Sequence, residues 1–288
     1  MTEALFMQLL RLIRLLPRGG FRVVRLLAMF FPTLRRWPIR LALISEVTLF
    51  ADLRESIWFP LWKFGLYPHQ IAEDKLAQLF LKSGDCVWDV GANIGYTTLL
   101  YAASVGEEGQ VIAFEPSPKA FSFLSEATST FTNVQRVNCA VSDINGSVFF
   151  SENTMLDCSS IVEDDFPGTK IEVRATSLDN FLENNNEISP PVFLKIDVEG
   201  HEEAVFCGAK ELIGKYKPII EFEALGNEAL RRSLSLIQEI GGDEYKVYQI
   251  THDGRLQFTL LNRDPIHTSN FLALRKDHMN RFDGVEFV

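Results

Sequence analysis

The chain has few cysteines, no metal-binding cysteine pair and no long charge-free apolar run. Four cysteines in 288 residues form no CxxC pair, which argues against both a disulfide scaffold and a cysteine-type zinc site. Cysteines this sparse are typical of a reducing compartment, so we expect a cytoplasmic protein. Charged residues interrupt every apolar stretch before it reaches roughly 18 residues, so the sequence predicts no membrane-spanning helix.

Positive charge is scarce except at the N-terminus. Residues 1–40 contain eight arginines, no lysine and one acid, Glu3, so their net charge is +7 and the remainder of this −10 chain carries −17. An acidic body is a poor surface for nucleic acid, and we expect no nucleic-acid partner. The arginines recur among leucines, with breaks at Pro17, Pro32 and Pro38, which predicts short amphipathic helices. Such helices suit either peripheral contact with a membrane or packing on the acidic body.

Beyond the N-terminal segment, short apolar strands alternate with helices. This pattern predicts a doubly wound, mostly parallel α/β sheet in a domain of residues 67–288, preceded by a helical extension of residues 1–66. An excursion over residues 151–170 has a length that fits a substrate lid. The predicted strands of the sheet are Cys86–Val90, Val111–Phe114, Val134–Asn138, Val192–Ile196, Pro218–Phe222, Tyr245–Ile250 and Phe271–Leu274. The predicted helices are Gln70–Lys82, Tyr96–Ser104, Lys119–Thr130, Glu203–Tyr216 and Glu228–Ile240.

The turn after the first of these strands lacks the G-x-G-x-x-G spacing of a dinucleotide site. Gly91 and Gly95 are separated by three residues, with Asn93 at the place of the second glycine. The glycines still allow a ligand to approach the backbone and the start of the next helix. Glu115, at the end of the following strand, is placed to accept hydrogen bonds from both hydroxyls of a ribose. Asp89 would repel a pyrophosphate but accept an ammonium group, which favours S-adenosylmethionine over NAD.

Four motifs occur in order along the chain: Asp89-Val90-Gly91-Ala92-Asn93-Ile94-Gly95, Phe114-Glu115-Pro116, Ala140-Val141-Ser142-Asp143 and Lys195-Ile196-Asp197-Val198-Glu199-Gly200-His201-Glu202. Together they resemble the FkbM family of S-adenosylmethionine-dependent methyltransferases, over roughly residues 67–223. The resemblance implies the class I, Rossmann-like methyltransferase fold and O-methylation of a hydroxyl on a sugar or another small metabolite. The predicted cofactor-binding residues are Asp89, Gly91, Ala92, Asn93, Gly95, Glu115 and Ala140.

The last of these motifs supplies the predicted catalytic residues, Asp197, Glu199 and His201. It follows a strand, so it is expected to face the same crevice as the glycine turn. Methyl transfer to a hydroxyl requires alignment and a destination for the proton, so we expect Asp197 at the reaction centre and Glu199 and His201 as candidate bases. We also expect Glu221 or Glu223 to lie beside Asp197.

Several alternatives stay open at this point. One of the two acids, Asp197 or Glu199, would instead cap the next helix or pair with Lys195. Together with His201 they would suit Mg²⁺ or Mn²⁺, but nothing in their spacing requires a metal, and none is predicted. The alternative functions are a non-catalytic binding module at a membrane and a nicotinamide-dependent dehydrogenase. The absence of a Tyr-x-x-x-Lys pattern near the crevice argues against the dehydrogenase.

Overall fold

The computed structural model describes residues 3–16, 19–44, 47–151, 160–161, 170–258 and 269–288. The chain divides into two compact units, one formed by residues 1–68 and the other by the described residues from 69 onward. Most of the predicted lid, residues 151–170, lies outside the described residues. Among the helices that are described, none combines the length and the apolar character that a bilayer crossing requires.

The described part of the first unit contains three α-helices and a two-stranded antiparallel sheet. Its elements are α1 (Glu3–Leu15), α2 (Gly20–Phe30), β1 (Trp37–Arg40), β2 (Thr48–Ala51) and α3 (Trp58–Phe64). The breaks predicted at Pro17 and Pro32 are confirmed, because α1 ends before the first proline and the second begins a short 3₁₀ turn. Pro38 lies within β1.

The second unit alternates strands and helices as the sequence predicts. In chain order its elements are α4 (Ile71–Phe80), β3 (Cys86–Val90), α5 (Tyr96–Val105), β4 (Gln110–Phe114), α6 (Pro118–Ala127), β5 (Val134–Val137), β6 (Ala140–Val141), β7 (Gly146–Ser151), β8 (Ser160–Ile161), β9 (Lys170–Thr176), α7 (Leu178–Glu183), β10 (Phe193–Ile196), α8 (Glu202–Cys207), α9 (Lys210–Tyr216), β11 (Ile219–Glu223), α10 (Asn227–Gly241), β12 (Tyr245–Ile250), β13 (Leu256–Phe258) and β14 (Asn270–Arg275).

The main sheet has the strand order β13-β12-β14-β11-β10-β3-β4-β5. The five strands from β11 to β5 are parallel, whereas β14 runs antiparallel to both β11 and β12. The predicted doubly wound, mostly parallel sheet is therefore confirmed. The chain turns from β3 towards β4 and β5 on one side and later returns to β10 on the other. The strand order thus reverses between β3 and β10, and ligands of such sheets bind at the carboxyl ends of strands around this point.

The central strands are buried along their whole length because helices cover both faces of the sheet. All five residues of β3 are buried, and the Trp88 ring packs edge-on against Phe181, which in turn packs against Phe114. A smaller sheet in the order β6-β9-β7-β8 contains the strands that precede and follow the excursion.

The continuous helix predicted over Glu203–Tyr216 is wrong, because the structure has two helices, α8 and α9, with a break at Gly208. The chain passes so close to the neighbouring segment there that a Cβ atom on Gly208 would overlap the carbonyl oxygen of Ser142. This close packing comes from a distant part of the sequence, so helical periodicity gave no sign of the break.

Candidate active site

Main-chain hydrogen bonds fix the turn between β3 and α5 against the end of β4. The amides of Gly91 and Ala92 both donate to the carbonyl oxygen of Phe114, each at 3.0 Å. The amide of Asn93 donates to Oε2 of Glu115 at 2.8 Å. The structure therefore brings the predicted loop residues together with the predicted ribose acceptor, at the carboxyl ends of two neighbouring strands.

Three residues of this turn have left-handed backbone conformations. Gly91 has φ +86°, Asn93 has φ +48° and Gly95 has φ +88°, values that glycine adopts freely and asparagine tolerates better than most residues. Gly91 is required for a second reason, since a Cβ atom there would overlap the carbonyl oxygen of Asp197. The turn is thus packed directly against the segment that follows β10.

Glu115 is buried, with both carboxylate oxygens turned towards main-chain donors. Its second oxygen, Oε1, accepts from the amide of Ser117 at 2.8 Å. Burial raises the pKa of Glu115 to about 7, against the opposing effect of the donors on Ser117 and Asn93. The side-chain amide of Asn138 donates to the Glu115 carbonyl at 2.7 Å, which ties the end of β5 to this edge. Ala140, also predicted for the cofactor site, is buried two residues further along, at the start of β6.

Asp89 lies in the middle of the unit and is fully buried in β3. Its Oδ2 accepts hydrogen bonds from the hydroxyls of Thr97, at 3.1 Å, and Thr98, at 2.6 Å, in the first turn of α5. Its Oδ1 has no partner among the described residues, and neither does Oδ1 of Asn93. Burial raises the pKa of Asp89, and nearby Lys195 opposes that rise. Buried polar atoms without partners are rare in folded proteins, and a bound ligand is one source of the missing donor.

Lys195 is the buried cation of the site. It is 4% exposed, and its Nζ lies 2.6 Å from Oδ2 of Asp197, so the pairing considered from the sequence is confirmed. Its register partners in the adjacent strands are Asp89 on β3 and Glu221 on β11. Burial alone would lower the pKa of Lys195, but the surrounding carboxylates outweigh burial and raise it. Lys195 therefore stays charged and holds Asp197 in place.

The carboxyl groups of Asp197, Glu199 and Glu223 meet at the ends of β10 and β11. One oxygen of each lies within 4.8 Å of the others. The expectation that Glu221 or Glu223 lies beside Asp197 is confirmed for Glu223. Glu221 is buried instead beside Lys195, where burial raises its pKa to about 8. Oxygen ligands at this spacing are compatible with a divalent cation, although acidic groups often meet without one.

His201 lies outside this group of carboxylates. Its Nε2 is 3.0 Å from Oγ of Ser142, whose hydroxyl also lies 3.1 Å from Oδ1 of Asp143. Burial lowers the pKa of His201, with Asp143 opposing the change. Glu202 accepts from main-chain amides before α8, including that of Gly200 at 3.0 Å. The catalytic role of His201 stays a prediction.

Two acids of α4 also belong to this edge, and sequence reasoning missed them. The hydroxyl of Tyr96 donates to Oδ2 of Asp74 at 2.7 Å, and burial raises the pKa of Asp74 to about 7. The side-chain amide of Asn270, in β14, donates to Oε1 of Glu73 at 2.8 Å. The sequence carried one signal: two adjacent acids in an apolar helix, both of which proved to be buried.

This edge of the sheet fits a ligand that combines a ribose with positive charge. One buried carboxylate oxygen of Asp89 has no hydrogen-bond partner among the described residues, and Glu115 is held at the end of the next strand. The surrounding acids would repel a pyrophosphate and attract a cation. S-adenosylmethionine carries a ribose, an ammonium and a sulfonium and has no phosphate, so the residues present fit this cofactor. Fold and site together define the class of S-adenosylmethionine-dependent methyltransferase domains.

Comparison with protein families agrees with this class. The model of the methyltransferase FkbM domain matches residues 89–250, which is more than half of the chain. The chain belongs to this family. The resemblance in the four sequence motifs is thereby confirmed.

Individual relatives are more distant. The hexuronic acid methyltransferase AglP of Haloferax volcanii is 30% identical over 125 residues, which are 43% of this chain and 49% of that protein. The solved structure of methyltransferase FkbM from Methylobacillus flagellatus KT is 18% identical, with a TM-score of 0.45 over 66% of this chain and 43% of that one. An S-adenosylmethionine-dependent O-methyltransferase from Thermotoga maritima is 15% identical, with a TM-score of 0.44 over 83% of this chain and 77% of that one. The chain thus spans about half the length of the first two relatives.

Proposed function

We propose that this protein transfers a methyl group from S-adenosylmethionine to a hydroxyl of a sugar or another small metabolite. The observation that carries the proposal is the fully buried Asp89, whose Oδ1 lacks a partner among the described residues, close to the turn that Glu115 holds. When bound, the cofactor supplies an electrophilic methyl group on its sulfonium. Membership of the FkbM methyltransferase family supports this activity and argues against a nicotinamide-dependent dehydrogenase.

The proposed cofactor site consists of the turn and the strand ends around it. Asp89 would receive the ammonium group, because one of its oxygens has no partner among the described residues and the other is held by two threonines. Glu115 would accept the ribose hydroxyls. The backbone of Gly91, Ala92, Asn93 and Gly95 would line the cofactor, with Ala140 beside it.

The acceptor would lie at the carboxylates of Asp197, Glu199 and Glu223. Asp197 is paired with Lys195, which fixes it as a hydrogen-bond acceptor for the reacting hydroxyl. Burial raises the pKa of Glu223, so it is better suited to take the hydroxyl proton. The role of His201 would then be to position the segment after β10 through its contact with Ser142.

The charge of this edge favours a neutral acceptor. A uronic acid would bring a carboxylate to a group of carboxylates, which like-charge repulsion opposes. Only Lys195 offers a buried positive charge here among the residues described, and Asp197 already pairs with it. We therefore expect neutral or amino sugars to be better acceptors than the hexuronic acid named for the haloarchaeal relative.

Isothermal titration calorimetry tests the cofactor assignment. We expect S-adenosylmethionine to bind, NAD not to bind, and Glu115→Gln to weaken cofactor binding by about 1–3 kcal/mol, the usual loss for hydrogen bonds to a charged acceptor. Glu107→Gln, at an exposed position, is the matched control and should bind normally. Unchanged affinity of Glu115→Gln for S-adenosylmethionine, with the fold intact, would contradict the assignment of Glu115 as the ribose acceptor.

Transfer of a labelled methyl group tests the reaction itself. Full-length protein is incubated with methyl-labelled S-adenosylmethionine and a set of neutral, amino and uronic sugars, and the product is analysed by NMR for a methoxy carbon. A labelled methoxy product from a neutral sugar supports the proposal. Cofactor binding without transfer to any acceptor would favour the non-catalytic binding module instead.

A further inference from the structure

In their described side chains, α1 and α2 are apolar on two faces, one buried and the other exposed. Leu10 and Ile13 of α1, and Val24 and Ala28 of α2, are buried. A surface helix of an ordinary globular unit shows a single apolar stripe opposite a polar face. The opposite faces of α1 and α2 therefore need an explanation.

Contacts inside the first unit hold α1 and α2 against α3. The Phe21 ring of α2 packs on Phe59 of α3 with 5.7 Å between ring centroids. The Arg14 guanidinium of α1 lies over the Trp62 ring of α3 at 4.8 Å and donates to the Trp62 carbonyl oxygen. Lys63 donates to the carbonyl oxygen of Leu16 at 2.7 Å.

The outward side chains are large and apolar. Of the fifteen large apolar residues that are exposed in the described part of the chain, seven lie between residues 12 and 30. We call these seven residues the outer apolar face: Leu12, Leu15, Leu16, Val23, Leu26, Met29 and Phe30. Leu15 is 78% exposed and Phe30 is 73% exposed, so solvent covers almost the whole of each side chain. Concentrated apolar exposure of this kind marks an interaction site.

The spacing of these residues matches helical geometry. Leu12, Leu15 and Leu16 stand at i, i+3 and i+4 on α1 and just beyond its end, and Leu26, Met29 and Phe30 repeat the spacing on α2. Three arginines border them and are exposed as well: Arg11, Arg22 and Arg25.

We propose that α1 and α2 form an interfacial surface that binds anionic phospholipid membranes. The outer apolar face would enter the region between headgroups and acyl chains, while the bordering guanidinium groups pair with lipid phosphates. Charge complementarity selects this partner: the segment of residues 1–40 carries +7, and anionic leaflets attract such segments. An acidic protein or a nucleic acid would satisfy the arginines but would leave the leucines and Phe30 in water.

Co-sedimentation of the full-length protein with vesicles tests this surface. We expect binding to vesicles of equal parts phosphatidylcholine and phosphatidylserine, and little binding to phosphatidylcholine alone. Replacing Arg22 and Arg25 by glutamine should weaken binding on the order of fivefold for each arginine, and added salt should weaken it further. Leu26→Ser together with Phe30→Ser should weaken it on the order of tenfold or more.

Leu79→Ser is the matched control for the apolar variant. Leu79 of α4 is 59% exposed and Leu26 is 57% exposed, so Leu79→Ser and Leu26→Ser remove the same side chain from equally exposed positions. Because all the substituted residues are exposed, thermal unfolding should not change, and that measurement is made for each variant. Equal binding to neutral vesicles, or unaltered binding of both the arginine and the apolar variants, would overturn the proposal. So would light scattering that shows these residues hold two copies of the chain together while vesicle binding is absent.

Discussion

The turn after β3 and the acidic edge after β10 lie at the ends of adjacent strands but are built in different ways. In the turn, main-chain amides of neighbouring elements satisfy Glu115 and fix Gly91 and Asn93. At the edge, side chains meet from five elements: α4, β3, β10, β11 and β14. The buried cation Lys195 compensates part of their negative charge. A site made by backbone geometry is therefore local in sequence, whereas a site made by charge balance draws on distant parts of the chain.

The largest expected effect is on turnover, from Asp197→Asn at the acidic edge. Asparagine keeps the size of the side chain but removes the charge that orients the reacting hydroxyl, so kcat should fall by roughly 10²-fold, the usual loss when a reacting group is misplaced. Cofactor affinity, measured by calorimetry, should change little because the turn is intact. Equal losses in cofactor affinity and turnover would show instead that the turn and the acidic edge act as one functional unit. Activity that survives thorough EDTA treatment would show that no divalent cation at these carboxylates is needed.

Lys195→Met should produce the largest loss of stability. Removing the buried cation leaves Asp89 and Asp197 without compensation, and breaking a buried pair in this way costs about 3–5 kcal/mol. The free energy of unfolding in urea measures this loss. Lys210→Met is the control, since Lys210 pairs with Glu239 at an exposed position and its loss should leave stability unchanged. Similar values for the two variants would mean that the acids at the edge do not depend on Lys195.

The same contrast explains how much the sequence predicted. The turn was predictable because Gly91, Gly95 and Glu115 belong to successive elements with a characteristic spacing, and the alternation of strands and helices gave the sheet. The acidic edge was predictable only for Asp197, Glu199 and Glu223, which follow strands directly. Asp74 and Glu73 reach it from α4, and no local periodicity reports which distant strand a helix packs against. The contact between His201 and Ser142 likewise joins segments that are almost sixty residues apart.

Gly91→Ala tests a close main-chain contact between the two regions. Its matched control is Gly84→Ala, because Gly84 has the same left-handed backbone, φ +87° against +86°, with nothing near its Cβ position. Both variants should lose about 1–2 kcal/mol of unfolding free energy from backbone strain. Gly91→Ala should lose roughly 1–3 kcal/mol more, because its Cβ collides with the main chain at Asp197. Its turnover should fall as well, since Asp197 has to move. If the two variants behave alike, the turn and the acidic edge are not in rigid contact.

A further expected effect is a pH dependence of stability that belongs to the acidic edge. Burial raises the pKa of Glu221 to about 8 and that of Asp74 to about 7, whereas carboxyls of the unfolded chain titrate near pH 4. The folded protein therefore holds these protons more tightly than the unfolded chain. Their stabilising contribution is complete below about pH 4 and is lost as the pH rises through 7 to 8. Each group adds at most about 1.4 kcal/mol per pH unit to this decline.

Glu221→Gln removes the contribution of Glu221 to this decline in the free energy of unfolding, because glutamine cannot ionise. Urea unfolding between pH 5 and pH 8 should then show a shallower fall in the free energy of unfolding than in the unsubstituted protein. Glu107→Gln removes an exposed carboxyl and should leave the slope unchanged. The turn contributes to the same window through Glu115, whose pKa is about 7, so a residual slope must persist in Glu221→Gln. A slope that is unaffected by Glu221→Gln would mean that Lys195 neutralises this carboxylate in the folded protein, which would make the acidic edge as self-contained as the turn.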